Sequence, residues 1–574
     1  MNTTIPSEYY DENYIPGTTN ILTGQQTELT SISSNKSLKR DKKGFVLIPQ
    51  PTDSPNDPLN WSNPKKILQF SLLIFYTALT AATSNDAGAA QDSLNEIYGI
   101  SYDAMNTGAG VLFAAIGINC WLLAPSVDLY GRKISYLICL AASVGGCIWF
   151  SVSRKTSDTI WSQLFVGAGE SAAEAMVQVS ICDLFFQNNL GSVLTLYIAA
   201  TSIGTYLGPL IAGFIAQYQT FRWVGGWGAI ITFVTLVVFI FGLEESSFNR
   251  QAHFKVFESS SINESQENIY NDEKTNKIDD SKLASDEEKG EFTNPTIVKS
   301  NLENYVSNVI AEEDKPKSYW RRISPITPAH NIEGFGFKQY GQRLLFNLKI
   351  FQYPIVLFSG LLWALQDAFL SFYLTSEDTT YYDPPYNKSN TGVALMNIPC
   401  LIGAILGCIF AGYISDLHVD WLAKRNGGVM EAEFRLYLLF VTLFISPLGL
   451  LLFGIGTDRD WPWPVMYVGL GLVGFGFGSV GDCSSTYSIT SYPDLVLQSM
   501  VAISLINNLI ACLFTFCCSI WLDASGTTNT YIALAVIDFV TIGLIIPFIY
   551  YGKDLRKHSK KSYIEMVEKL NEWK

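Results

Sequence analysis

The sequence predicts an all-α membrane protein with twelve transmembrane helices in two six-helix halves. Composition is the first reason, because the chain is 48% hydrophobic and only 16% charged, as expected for a protein that crosses lipid. The second is a series of apolar runs, each of about 18 residues or more, enough to cross a hydrocarbon core of about 30 Å. The third is the hydrophilic stretch 244–345, which divides the runs six and six.

The apolar runs predict the order of the spans and the division of the chain. In the first half they start near Ile67, Ala104, Ile134, Thr159, Gly191 and Val224. In the second half they start near Pro354, Thr391, Phe434, Pro464, Leu495 and Asn529. We therefore expect an N-terminal segment at 1–64, a first half at 65–243, a linker at 244–345, a second half at 346–552 and a basic tail at 553–574.

Basic flanks predict that both termini lie in the cytosol, since Lys and Arg near span ends tend to remain on that side. The flanks that agree are Lys65 and Lys66, Arg132 and Lys133, Lys424 and Arg425, and the tail residues Lys553, Arg556, Lys557, Lys560 and Lys561. Arg154 and Lys155 argue weakly for the opposite orientation. The N-terminus has no apolar core of a cleaved signal peptide, so we expect the first span to direct insertion.

The linker carries much of the acidity. The formal charge of the chain is -14, and many acids crowd between residues 244 and 313, in a segment too polar to bury a core. We expect this part to be cytosolic and mostly disordered. Residues 317–351 mix bases with aromatic residues, which predicts a helix lying on the anionic inner leaflet; a polar connector without membrane contact is the open alternative.

A motif at the end of the second span carries a family resemblance. Residues 124–137 read APSVDLYGRKISYL, which resembles the loop motif of the major facilitator superfamily at Asp128, Gly131, Arg132 and Lys133. A weaker copy follows the eighth span, at Gly412, Asp416, Lys424 and Arg425. The resemblance implies the fold of that superfamily and transport by rocking of the two halves. It also implies charged gates between helices, formed by Asp128, Arg132, Asp183 and Asp416.

Longer stretches resemble a narrower group. The leader SPNDPLNWSNPKK, the fifth-span sequence GTYLGPLIAGF and the sequence EAEFRLYL at the ninth span are similar to fungal members of the twelve-span drug:H+ antiporter group. The sequences TAATSNDAGAAQDSLNEIYGISYD and DTIWSQLFVGAGES resemble polyamine transporters of yeast, which also admit histidinol. This resemblance implies that the chain transports polyamines.

The fourth span departs from the family pattern. Where the family places an arginine for proton coupling, this chain has Gln163, and it has Glu170 where the family has a small residue. In a low-dielectric cavity, the loss of a positive charge and the gain of a negative one favour a cation over an anion. The departure also removes the family's usual proton-coupling residue.

Glu170, Glu174 and Gln178 are spaced to share one helix face, with about 6 Å between successive side chains. This step suits amines separated by three- or four-carbon spacers. An ionised carboxylate within the membrane costs several kcal/mol unless it is paired, and two such carboxylates repel each other. We therefore expect Glu170 and Glu174 to bind substrate and to couple its arrival to release of a proton. In the alternative interpretation, one glutamate is a structural hydrogen-bonding group between helices.

The seventh span holds the next candidate for substrate binding. Asp367 lies in the sequence SGLLWALQDAFLSFY, together with Trp363, Gln366 and Tyr373. Aromatic faces and a carboxylate attract ammonium groups. The sequence therefore predicts a cage for ammonium around Asp367.

Other acids have more than one interpretation. Asp86 lies near the outer end of the first span, where it would either attract cations at the mouth or cap a helix. Asp482 lies in a glycine-rich segment of the tenth span, where it would either line the cavity or support a hinge. Asp538 is expected to be structural. The aromatic candidates for the cavity are Tyr206, Phe372 and Tyr487, each with ordinary packing as its alternative.

Enzyme functions fit the sequence poorly. The four histidines lie in polar or terminal stretches, and we find no nucleotide-binding loop, nucleophile elbow or zinc-protease motif. All ten cysteines fall in apolar runs, so we expect no disulfide framework, metal site or cofactor. The predicted partners are polyamines and other organic cations, protons and the lipid bilayer, with no nucleic acid. The chain is expected to act as a monomer.

Three functions remain open at this point. The first is import of spermidine, putrescine and spermine, driven by protons and the membrane potential. The second is efflux of lipophilic cationic drugs, which needs only a lone carboxylate in an apolar pocket. The third is a polyamine sensor with the acidic linker as its output. A linear polycation requires several acids in a row, so the two glutamates favour the importer.

Overall fold

The computed structural model describes residues 7–12, 14–20, 39–40, 47, 49–248, 250, 316–329, 331–382 and 384–573. The part of the linker expected to be disordered lies almost entirely outside these residues. Where the structure describes the chain, it is helical apart from turns, connecting segments and one pair of short strands, β1 (Thr18–Asn20) and β2 (Val429–Glu431). The two strands pair antiparallel, with Thr18 opposite Glu431.

The first half contains eight helices among the described residues. They are α1 (Asn63–Asn85), α2 (Gln91–Tyr98), α3 (Tyr102–Leu129), α4 (Arg132–Ser151), α5 (Thr156–Glu174), α6 (Met176–Leu184), α7 (Gln187–Tyr218) and α8 (Arg222–Gly242). Two short helices lie within the described part of the linker: α9 (Tyr319–Arg322) and α10 (Phe337–Asn347).

The described residues of the second half and the tail contain nine further helices. They are α11 (Pro354–Thr380), α12 (Asn390–Ala394), α13 (Asn397–Ile409), α14 (Ser415–Arg425), α15 (Leu439–Asp458), α16 (Trp463–Ser491), α17 (Val496–Ser525), α18 (Thr527–Gly543) and α19 (Ile545–Glu572). A π-helical turn at Phe410–Ile414 joins α13 to α14. Shorter 3₁₀ turns lie at Ser7–Tyr10, Pro58–Asn60, Ala87–Ala90, Leu348–Gln352, Ala432–Leu438 and Pro493–Leu495.

The helical count agrees with the predicted spans. Eleven segments within the described residues are long and apolar enough to cross a membrane. The remaining predicted span, α5 with α6, is the one that carries Glu170 and Glu174. Asp158, Glu170 and Glu174 make α5 more polar than the other spans, so the residues that make it a candidate site also set it apart from the eleven apolar segments.

Small residues allow the helices of each half to approach closely. In the first half, a Cβ at Gly204 of α7 would lie 2.2 Å from the carbonyl oxygen of Ala78 on α1. In the second half, a Cβ at Gly403 of α13 would lie 1.9 Å from the carbonyl oxygen of Gly471 on α16. Neither position can hold a side chain without separating its helices, as expected for glycine at close helix contacts in membranes.

The main contacts between the two halves involve α3 and α7 of the first half. α3 of the first half packs against α17 of the second, and α7 packs against α13 and α16. We call the end of the bundle at which α1 begins the terminal face, because the N-terminal strand β1 and the C-terminal helix α19 also lie there. The other end is called the distal face.

Candidate functional site

A cleft between the halves opens at the distal face. It encloses about 1030 Å³ of space, including solvent at its mouth. The first half contributes the end of α1 and the beginnings of α3 and α5, and the second half contributes the end of α11 and the beginnings of α12 and α13. Ser84 and Ser371 are among the lining residues, and the predicted acids lie next to them.

Three carboxylates from both halves come together beside this cleft. Glu170 and Glu174 project from α5, and Asp367 projects from α11; Asp367 lies within electrostatic range of both glutamates. Glu170 is 7% exposed and Asp367 is 8% exposed. The structure therefore joins the two strongest sequence candidates into one group, which we call the central acids.

Neutral groups surround the central acids. The Asn507 Nδ2 donates a 2.6 Å hydrogen bond to Asp367 Oδ2. Glu174 lies beside Ser504 and Asn508, which belong to α17, the helix that also carries Asn507. Glu170 lies beside Ser84, on the cleft wall. Among the described residues, no Lys or Arg lies close enough to form an ion pair with any central acid.

This arrangement is costly without a ligand. Buried carboxylates inside a membrane protein normally pair with a cation, and neighbouring carboxylates repel one another. Amide and hydroxyl donors stabilise a carboxylate but do not cancel its charge. The central acids are therefore suited to a cation that arrives from outside or to protons.

The backbone of the fourth span breaks beside the central acids. Ala175, with φ −126° and ψ −46°, separates α5 from α6. Two side chains bond carbonyl groups at the break: the Tyr197 hydroxyl donates to the Ala173 oxygen at 3.0 Å, and Gln178 Nε2 donates to the Glu174 oxygen at 3.0 Å. Irregular backbone inside a membrane requires such replacement partners.

The break corrects one expectation. The regular helix face predicted for Glu170, Glu174 and Gln178 ends at Glu174, because the helix is interrupted before Gln178. The side-chain amide of Gln178 donates a hydrogen bond to the Glu174 carbonyl oxygen of the same span. Its Oε1 has no hydrogen-bond partner among the described residues. Its contact with the site is through the Glu174 carbonyl group.

The cage predicted around Asp367 is assembled only in part. Trp363 is buried and packs on Phe477, with ring centroids 4.9 Å apart. Tyr373 donates instead to Asn397 Oδ1, at 3.2 Å. Gln366 turns away to donate to Asp538 Oδ1, at 3.0 Å. Gln366 and Tyr373 therefore use their polar groups on neighbouring helices and not on a ligand beside Asp367.

An ion pair at the terminal face joins the start of α4 to the end of α6, and we call it and its counterpart in the second half gates after the role that the sequence predicts for them. The Arg132 Nε lies 2.6 Å from Asp183 Oδ2, as the family resemblance implied, and Asp128 lies within electrostatic range of Arg132. The backbone amides of Arg132 and Lys133 donate to the Glu245 carboxylate at 3.0 and 3.1 Å. These amides are the first of α4, and a negative charge beside the N-terminus of a helix is stabilising.

Gly131 is required at this gate. It has φ +94°, and a Cβ there would lie 2.6 Å from Glu245 Oε2. An L side chain would meet both a strained backbone and the carboxylate that caps α4.

A second gate joins the halves at the same face. Arg435 lies 2.9 Å from Asp416 Oδ1, and Ser192 of α7 donates to Asp416 Oδ2 at 3.0 Å. Beside it, Thr195 Oγ1 donates to Asp482 Oδ2 at 3.2 Å. Asp482 therefore lies at the terminal-face gate, apart from the distal cleft.

Arg435 was missed by the sequence analysis. The weaker copy of the loop motif suggested Lys424 and Arg425 as the basic residues of the second gate, and Arg425 instead stacks on Trp421 at 4.3 Å. Arg435 is the arginine of EAEFRLYL. Its place in a stretch that carried the family resemblance was the available signal.

Two other predicted residues are not among those that line the cleft. Asp86 follows the end of α1 and lies near Cys147 of α4. Tyr487 lies at the terminal end of α16, near Glu433 and Arg556. Tyr206 lies closer to the site, within electrostatic range of Asp367.

One acid of the cleft was also missed. Glu377 lies at the distal end of α11, is 3% exposed and lines the cleft. Its Oε1 accepts a 2.9 Å hydrogen bond from Asn397 Nδ2. An acid at the end of a span is ordinarily solvated, and the fold instead buries Glu377 between the halves.

Comparisons with known proteins agree with this architecture. Residues 70–515 match the Major Facilitator Superfamily. The chain is 51% identical over 571 residues to Protein HOL1 of Saccharomyces cerevisiae, covering 97% of each chain. It is 44% identical to an uncharacterized MFS-type transporter of Schizosaccharomyces pombe, covering 99% of this chain and 96% of the relative. It is 21% identical to the MFS antiporter QDR3 of Candida albicans, covering 93% of this chain and 84% of the relative.

Proposed function

The chain belongs to the major facilitator superfamily, and on that premise we propose that it imports polyamines and related organic cations across the plasma membrane. Spermidine, putrescine and spermine are the proposed substrates. The observation that supports this proposal is the group of central acids, contributed by both halves and surrounded by neutral donors. At the level of family, the chain is a multi-pass membrane transporter.

The number and placement of the acids favour a polycation. A single carboxylate in an apolar pocket suffices for a monovalent cation, whereas several carboxylates match a ligand with several ammonium groups. Glu170 and Glu174 are one helical turn apart, which corresponds to about 6 Å. A polyamine that binds Asp367 as well would bridge the two halves, so its affinity would depend on how the halves are arranged.

The two faces support alternating access. The cleft is open at the distal face, while the Arg132–Asp183 and Arg435–Asp416 pairs lie at the terminal face. In this proposal the distal face is extracellular and the terminal face is cytosolic, which agrees with the basic flanks. The arrangement corresponds to a transporter ready to load from outside.

The membrane potential supplies much of the driving force. Moving one charge across 100 mV is worth about 2.3 kcal/mol, so a trivalent amine gains about 7 kcal/mol on entry. We propose that protons contribute as well, by entering together with the substrate. Central acids without a cation are expected to hold protons that the substrate displaces, and this displacement alone would make protons competitors of the amine.

Drug efflux is the second candidate function. The similarity to the antiporter QDR3 supports it, but at 21% identity that relative is much more distant than the two with 44% and 51%. A polyamine sensor with the linker as output is a third possibility. Deletion of residues 251–315 separates it from a carrier, since a carrier continues to move substrate without its linker.

The test compares two buried carboxylates. We expect Glu170→Gln to reduce uptake of labelled spermidine by about 30-fold or more, because a buried charge pair with substrate is worth about 2–5 kcal/mol. Asp538→Asn is the matched control, since Asp538 is buried in α18 and hydrogen-bonded to Gln366, outside the central acids. Surface expression is measured for both variants.

Two outcomes would contradict the proposal. Normal uptake by the Glu170→Gln variant would remove that residue from the site. In a competition assay with mono- to tetravalent amines against labelled spermidine, stronger competition by lipophilic monovalent cations than by polyamines would favour the efflux function.

A further inference from the structure

One further acid lies in the cleft, closer to the distal face than the central acids. Glu377 follows Asp367 by ten residues on the continuous helix α11, which places it about 15 Å further toward the distal face. It lines the cleft and is 3% exposed. The central acids lie deeper, so Glu377 belongs to a separate position on the path from the mouth.

The Glu377 carboxylate is held in one orientation by a chain of hydrogen bonds. Tyr373 donates to Asn397 Oδ1 at 3.2 Å, and Asn397 Nδ2 donates to Glu377 Oε1 at 2.9 Å. Both donors are buried. A carboxylate oriented by a buried amide, itself oriented by a tyrosine, is a positioned binding group rather than a mobile surface acid.

An acceptor without a donor lies in the opposite wall of the cleft. Gln163 of α5 is 4% exposed and lines the same cleft. Its Oε1 has no hydrogen-bond partner among the described residues. A buried amide oxygen without a donor is unfavourable in a folded protein, so a ligand that brings an N–H group would remove that cost.

The chemistry of these groups specifies the ligand. A carboxylate and an amide oxygen both accept hydrogen bonds, so the ligand must be a donor, and the carboxylate requires a positive charge. A primary or secondary ammonium group has both properties. An anion lacks the charge, and a quaternary ammonium lacks the hydrogen.

The structure already holds one ammonium group near this position. Lys388 follows α11 in the connection to α12, and its Nζ lies 4.8 Å from the Tyr381 ring centroid and 5.4 Å from that of Tyr467. Burial lowers the pKa of Lys388, and Glu377 acts in the opposite direction. An alkylammonium group is therefore accommodated within electrostatic range of Glu377.

We propose that Glu377 and Gln163 form a loading site that binds one ammonium group of the incoming substrate before it reaches the central acids. The proposal rests on the proposed function, because it takes the cleft as the entry path for polyamines. It adds a second binding position and predicts how chain length affects uptake: a longer amine reaches both positions at once, whereas a short diamine occupies them in turn.

The experiment measures initial uptake rates of labelled spermidine in cells that express the full chain as their only polyamine transporter. For Glu377→Gln we expect the KM to rise about tenfold, because a hydrogen bond to a charged group is lost, with maximal rate unchanged. Gln163→Leu removes the second acceptor without a change of charge, and we expect a smaller rise in KM. In both variants the effect should be larger for spermine than for putrescine.

A matched control excludes general attraction of cations to the distal face. Asp458 lies at the distal end of α15, is exposed, and accepts a 2.6 Å hydrogen bond from Thr528. Asp458→Asn removes the same charge as Glu377→Gln, and we expect an unchanged KM. An equal rise in KM for Asp458→Asn and Glu377→Gln would overturn the loading site, since it would indicate long-range steering alone.

The loading site and the proposed function fail in different ways. If Glu377→Gln takes up spermidine with unchanged KM while Glu170→Gln does not take it up, the loading site is wrong and the proposed function stands. If Glu170→Gln also takes up spermidine normally, the proposed function itself is wrong. Loss of surface expression in Glu377→Gln would leave the Gln163→Leu variant to decide.

Discussion

The acids of the terminal face and the central acids differ in what neutralises them. At the terminal face, Asp183 lies 2.6 Å from Arg132 and Asp416 lies 2.9 Å from Arg435. In the middle of the bundle, Asp367 has the amide of Asn507 as its hydrogen-bond donor. One region has resident cations, and the other has neutral donors.

The difference indicates two uses of buried charge. An acid with a resident arginine is satisfied in the closed gate, and opening the gate must break that pair, so the pair favours one arrangement of the halves. An acid with only neutral donors stays unsatisfied until a cation arrives. Gates are therefore expected to affect the rate of transport, and the central acids to affect binding of substrate.

The largest expected effect tests the central acids. Asp367→Asn removes the only central acid contributed by the second half, and we expect spermidine binding to the purified protein to weaken by about 30-fold or more. The asparagine retains the size of the side chain and can still bond Asn507, so the change is mainly one of charge. Binding is measured by competition with labelled spermidine. Unchanged binding would show that a polyamine does not use the second half.

The next effect tests the gate. Arg435→Gln leaves Asp416 without its cation, and we expect the maximal uptake rate to fall by about tenfold, within the range of coupling energies between conformational states. Spermidine should still bind the purified variant, with a much smaller loss of affinity than in Asp367→Asn, because the central acids are intact. Lys424→Gln is the control, because Lys424 is a basic residue of the same segment outside the ion pair. Binding weakened as much as in Asp367→Asn would show that the two regions do not have separate uses.

The fold was predictable because membrane insertion imposes a strong pattern on the sequence. Every predicted start, from Ile67 to Asn529, falls within or beside a helix, since a span must be apolar over its whole length. The break at Ala175 was not predictable in this way. Its stability depends on Tyr197 and Gln178, and the tyrosine comes from a different helix.

The candidate site was predictable only where charge itself was the signal. Glu170, Glu174 and Asp367 stand out because acids are rare inside spans. The cage around Asp367 was not assembled as predicted, because spacing along one helix does not say which neighbour a side chain meets. Gln366 donates a hydrogen bond to Asp538, and Tyr373 donates one to Asn397. Pairings between helices depend on tertiary packing, which a single sequence does not record.

The smallest expected effect concerns protons. If protons enter with the substrate, raising the external pH by one unit removes about 1.4 kcal/mol of driving force per proton. The potential still supplies about 7 kcal/mol per 100 mV for a trivalent amine, so we expect uptake to fall by less than tenfold per unit. The measurement is spermidine uptake as a function of external pH, with the potential clamped by potassium and valinomycin.

The sign of this response connects protons to the central acids. A fall in uptake as pH rises supports protons as a co-transported ion. A flat response would contradict proton coupling and leave the potential as the only driver. A rise would mean that protons mainly compete with the amine for Glu170 and Glu174 on the loading side, since these carboxylates must be ionised to bind an ammonium group. In that case the central acids would still bind substrate, but protons would not be carried inward with it.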